Sequence, residues 1–203
     1  MRAARQYADA LWMAEGEPEL AWLLLVSAIE VAATAHQSAV QDCTLIVKEA
    51  FPRSAEALLA VGGEDKLAEA AAKEFEGLVR ATARFRAFAQ DFLPGPPGRR
   101  TTDLNAQLSW DQPEKIRKAL EAVYGLRSAR LHAGTPFPLP LLMPSAGRDG
   151  LPAERFTETY GPGDTKWKAT ELPMTLAAFA YMVRGMLLRW WDTLVEDAAS
   201  SES

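Results

Sequence analysis

Apolar side chains recur every three or four residues through most of this chain, and the points where that rhythm fails divide it into helices. Ala4, Tyr7, Ala8, Leu11 and Trp12 predict a first amphipathic helix over residues 3–15, stopping at Gly16. Pro18 then suits a first-turn position, and ELAWLLLVSAIEVAATA, from Pro18 to about Thr34, is apolar on nearly every side. A helix without a polar face belongs in the centre of a bundle. The pattern continues through Val47, Glu49 and Phe51 until Pro52 interrupts it. Arg53 to Val61 reads as a short helix closed by Gly62 and Gly63. A longer one follows from about Glu64 to Leu93, with Leu67, Ala71, Phe75, Leu78, Val79, Thr82, Phe85 and Phe88 or Ala89 on one stripe.

The second half is less regular. LPGPPGRRTT, residues 93–102, is a loop by composition, and its Arg99 and Arg100 are available in principle to a phosphate. Asp111 and Glu114 form a capping-box pattern ahead of a helix with Ile116, Leu120, Val123 and Leu126 or Arg127 inward, ended by Gly134. Residues 135–173 are proline-rich and lack a helical period. Within them RFTETYGPGDTKWKATEL predicts a small hairpin around GPGD, with Phe156, Tyr160 and Trp167 to pack beneath it. This insertion is a cover for the core by default; a lid or a dimer contact are the other roles open to it. LPMTLAAFAYMVRGMLLRWWDTLVED then predicts a final helix, and residues 198–203 a disordered tail. The expectation is one all-α domain over 1–197, an up-and-down bundle carrying the 135–173 insertion before its last helix.

Charge and cysteine usage narrow the function. With 203 residues, 48% hydrophobic, and a net charge of −5, the chain is an ordinary globular one and no general nucleic-acid coat protein. Yet from Pro113 to Gly134 Lys115, Arg117, Lys118, Arg127 and Arg130 outweigh Glu114 and Glu121, giving a local +3. A short phosphate contact fits that distribution; a long tracked backbone does not. The single cysteine, Cys43, sits in the apolar CTLIV and reads as a buried thiol in a reducing cytoplasm. Glu30 and Arg184 interrupt the two longest apolar runs, so no membrane span is expected. No histidine and cysteine cluster suggests a metal, and no nucleotide-binding signature suggests a cofactor.

Two polar positions carry candidate chemistry. Glu30 lies inside the apolar helix, where an unpaired carboxylate costs several kcal/mol. Its expected partner is Arg127 first and Arg184 second, the alternative being a carboxylate that reaches solvent at the helix edge. Arg127 and His132 combine a planar cation suited to phosphate with an imidazole, the side chain most used to give and take protons in catalysis. At 100° per residue they stand about 140° apart on an ideal helix. Either the last turn unwinds before Gly134 and the long arginine stem wraps around, or a two-fold axis brings two copies together. Ser128, four residues before His132, shares its face and is placed to orient the imidazole or to contact phosphate. His36, the other histidine, reads as a junction residue.

Tyr124, Arg127, Ser128, His132 and Gly134 resemble the YxxRSxxxHxG form of the RxxxxH motif of HEPN domains, small helical proteins rich in metal-independent endoribonucleases and toxins. The resemblance implies a HEPN-like bundle acting as a homodimer with a composite site at the interface. Arg127 and His132 would be catalytic, Ser128, Glu30 and Tyr124 supporting, and Arg130 an RNA contact, with no metal and no cofactor. It implies RNA cleavage by 2′-hydroxyl transesterification, in a toxin or phage-defence setting with a restraining partner protein. The alternative is a catalytically inactive HEPN-like module that binds RNA or protein. HEPN toxins restrained by a nucleotidyltransferase carry a tyrosine two residues after the histidine. That position is Gly134 here, which speaks against such control.

Overall fold

The computed structural model describes residues 2–36, 44, 47–48, 51–73, 76–145, 147, 149–157, 159–160, 166–168 and 171–201. Six helices appear among them: α1 (Arg2–Met13), α2 (Pro18–His36), α3 (Pro52–Lys73), α4 (Glu76–Phe92), α5 (Pro113–Ala133) and α6 (Leu176–Ser201). The chain is therefore all-α, with one two-residue antiparallel ladder in which Thr159 pairs with Trp167 and Tyr160 with Lys166. Cys43 and the GPGD turn lie outside the described residues, as do the side chains of Phe75, Leu78, Val79 and Tyr160.

α2 is the central helix because no side of it is polar enough to face water. Trp22, Leu25, Val26, Ile29, Ala32 and Ala33 are at most 1% exposed, packed among α1, α4, α5 and α6. It is also the described helix long and apolar enough to cross a bilayer. Trp22 anchors it, stacking on Phe179 at 5.1 Å and Phe137 at 6.1 Å while its Nε1 donates to Leu141 O at 3.0 Å. That donation matters because a buried indole N–H left without an acceptor is destabilising. α3 stands apart: Val47, Ala55, Leu67, Ala71 and Ala83 form a smaller satellite core. Its helix is broken where the sequence predicts, at Gly62 and Gly63, the latter at φ 64°.

The insertion covers the core. Phe137, Leu141, Phe156 and Leu172 are buried in the main cluster, and Trp167 packs against it half-buried. A buried carboxylate, Glu154, fastens this segment to the 93–112 loop. Arg100 donates to it through Nε at 2.7 Å and Nη2 at 2.8 Å, with Leu108 N at 2.7 Å and Trp110 Nε1 at 3.0 Å completing the set. Burial alone would raise the Glu154 pKa; the Arg100 guanidinium and the N–H donors outweigh it and hold the carboxyl below its usual range. Arg100 is thus a structural residue, not a free phosphate contact.

Three local expectations are corrected. Pro113 takes the first position of α5, so Gln112 becomes the N-cap without a side-chain bond and the Asp111 box does not form. The last turn of α5 does not unwind: it stays helical through Ala133, and Gly134 at φ 68° caps it by donating to Ala129 O. The tail, expected to be disordered from Ala198, continues α6 as far as Ser201.

Candidate functional site

The site builds on α5, whose buried Ile116, Leu120, Val123 and Tyr124 fix its rotation against α2 and α4. That rotation turns Arg127 toward the same side, where α2 offers Glu30. Arg127 Nη2 lies 2.7 Å from Glu30 Oε2, and Tyr124 Oη donates to Glu30 Oε1 at 3.2 Å. Of the two partners expected for Glu30, it is Arg127 that takes the role, while Arg184 is exposed on α6. The guanidinium carbon also stands 5.7 Å from the centre of the Tyr124 ring, close enough for a cation–π contact. Tyr124 in turn packs on Phe85 with ring centres 4.7 Å apart. Burial, and then the Glu30 charge, raise the Tyr124 pKa, so the phenol stays a proton donor at neutral pH.

This cluster is only partly dry. The Arg127 and Glu30 side chains retain 17% and 19% exposure, and Arg127 Nε is buried without a hydrogen-bond partner among the described residues. One end of the guanidinium is therefore fixed by a carboxylate, with hydrogen-bonding capacity left over. An arginine held in one rotamer can meet a phosphate without first losing its own freedom.

One turn further on, Arg130 Nε approaches Glu19 Oε1 at 3.0 Å without hydrogen-bond alignment, and Glu19 also accepts from Phe137 N at 3.0 Å. The expected RNA contact is thus an ion-paired residue that ties α5 to the start of α2 and to the insertion. The sequence signal for Glu19 was weak, since an acid in a first helical turn is ordinary.

His132 is exposed in the last turn of α5, on the opposite side from Arg127. In a regular helix the five-residue step separates them by about 7.5 Å along the axis and about 140° around it. Within one chain Arg127 is turned to Glu30 on α2, while His132 faces solvent. Ser128 is half-buried, one turn before His132 on the same face. His36 has other neighbours: it packs edge-on against Phe92 at 4.8 Å, its Nε2 3.9 Å from Asp91 Oδ2. The site's chemistry is thus a carboxylate-anchored guanidinium on one side of α5 and a solvent-facing imidazole on the other.

Among the described residues no group of three or more His, Cys, Asp and Glu is arranged to hold a metal ion. No protein-family model, no curated protein and no solved structure matches the chain.

Proposed function

We propose that this protein is a metal-independent endoribonuclease whose site is completed in a homodimer, with Arg127 from one copy and His132 from the other. The observation that carries the reading is the split geometry of α5. A fixed guanidinium and an exposed imidazole lie on one rigid helix but point apart, so a second copy is needed to bring both to one phosphate. The motif resemblance supplies the reaction class.

In the reaction proposed, the 2′-oxygen of a ribose attacks the adjacent phosphorus while the bond to the 5′-oxygen breaks. His132 takes the 2′-hydroxyl proton or supplies one to the departing 5′-oxygen. Arg127 stabilises the charge gathering on the non-bridging oxygens. The products are a 2′,3′-cyclic phosphate and a 5′-hydroxyl. DNA, lacking the 2′-hydroxyl, is not a substrate. A cytoplasmic setting, a toxin or phage-defence role and a restraining partner protein belong to the same reading.

A second reading, a catalytically silent module that binds RNA or protein, is favoured by one observation: Glu30 already neutralises Arg127. The two are separated by incubating mixed single-stranded RNA with the wild type, His132→Ala and Arg127→Ala in EDTA. Cutting by the wild type alone, with cyclic-phosphate ends, is the expected result. Equal behaviour of all three proteins overturns the catalytic assignment.

A further inference from the structure

The arginines of the basic stretch around α5 are largely spoken for. Arg117 pairs with Glu121 at 2.7 Å and Arg130 with Glu19, while Arg127, anchored on Glu30, belongs to the site already described. What remains are the two lysines, Lys115 and Lys118, both exposed. They do not point into open solvent alone. Together with Arg155, from the insertion, they line a cleft of about 390 Å³ over the buried Ile116 and Leu172. That volume is within the range of small-ligand sites, about 300–1,000 Å³. None of the three cations has a carboxylate partner among the described residues, and the one acid in the lining is Glu171, so the cleft carries a net +2. Glu171 is itself engaged, accepting from Lys168 N at 3.0 Å. Arg155 is held in place by its backbone, which donates to Ala106 O at 3.1 Å beside the Glu154 hub. On a protein of net charge −5, a concave site with a net charge of +2 selects for an anion.

The direction of the cleft identifies which anion. Lys118 and His132 lie within about 40° of each other around α5 and about 21 Å apart along it. Between them the same face presents the exposed Ala122, itself part of the cleft wall, and Gly125, with open space above it. A chain seated in the cleft can therefore follow α5 toward the imidazole over Ala122 and Gly125, beside a Glu121 carboxylate that is paired with Arg117. We propose that the Lys115, Lys118 and Arg155 cleft binds the phosphodiester backbone of single-stranded RNA at a point remote from the cut, an inference that rests on the ribonuclease reading above. It makes the cleft an anchoring subsite and gives the insertion a role in substrate binding.

The test uses the whole protein and a fluorescein-labelled 2′-O-methyl RNA strand, which cannot be cut because its 2′-oxygens carry no proton. Lys115→Gln/Lys118→Gln/Arg155→Gln is expected to weaken binding at least about tenfold. It is also expected to reduce the slope of log affinity against log salt by about 2, the value for three lost phosphate contacts on a single strand. Lys115→Arg/Lys118→Arg keeps the charge and is expected to retain binding. A control triple variant, Arg5→Gln/Arg53→Gln/Arg189→Gln, removes the same charge from exposed positions elsewhere and is expected to bind within about twofold of the wild type. Equal weakening by both triple variants, or none by the cleft variant, overturns the proposal. So does a cleft that binds inorganic pyrophosphate in a Lys118-dependent way but not the RNA strand. If the wild type cuts no RNA while the cleft-dependent binding is present, it is the ribonuclease reading that fails and the subsite that stands.

Discussion

Removing either member of the Glu30–Arg127 pair is expected to destabilise the fold, and removing both is expected to restore most of it. Breaking a fully buried ion pair costs about 3–5 kcal/mol, because the surviving charge stays desolvated. Here both side chains keep roughly a fifth of their exposure, and Tyr124 still donates to Glu30 when Arg127 is gone. The penalty is accordingly lower, about 2 kcal/mol for Arg127→Met or Glu30→Leu. The double variant replaces the pair by apolar groups and is expected to lie within about 1 kcal/mol of the wild type. The implied coupling is about 3 kcal/mol. In urea denaturation, with a slope of about 2 kcal/mol per molar, each single variant should unfold at about 1 M lower denaturant. The double variant matters for function as well, since it is folded but lacks the guanidinium and should cut no RNA. Single variants within about 0.5 kcal/mol of the wild type, or a double variant as unstable as the sum of the two, would refute the anchoring role of Glu30.

Two further predictions concern the scaffold. The Glu154 carboxyl is held below its usual range in the folded protein, so its contribution to stability is present above the unfolded value, about 4.3, and is lost as pH falls through the lower folded value. Glu154→Gln should therefore cost about 3 kcal/mol at neutral pH and progressively less toward pH 3. A penalty that does not shrink on acidification in urea titrations at several pH values contradicts that assignment. Gly185→Ala would place a methyl group 2.5 Å from Pro94 Cβ, where α6 meets the start of the 93–102 loop. Despite the better helix propensity of alanine, the melting temperature should fall by several degrees, an unchanged or higher value showing that the contact yields freely.

What could be read from the sequence followed periodicity and the cost of burying charge. α2 was legible as the centre because it has no polar side, and Glu30 was legible as a carboxylate in need of a cation. The angle between Arg127 and His132 was equally visible, being a property of any regular helix. The Glu154 hub was not, since Arg100 and Glu154 stand 54 positions apart and neither lies in a periodic segment. Phe137 and Leu141 were hidden likewise, since single apolar residues among prolines give no rhythm, while Leu172 and Met174, read as part of the last helix, reach the core from ahead of its start at Leu176. The cleft combines both difficulties, joining two lysines of α5 to an arginine of the insertion.

The most direct test of the composite site is to mix Arg127→Ala with His132→Ala after separating and reannealing the subunits. Each variant alone has no complete site. In the mixture half of the dimers are mixed, and each of those retains one of two sites, so about a quarter of the wild-type cutting rate should return. A mixture that cuts RNA no faster than the two variants apart contradicts a site shared between copies.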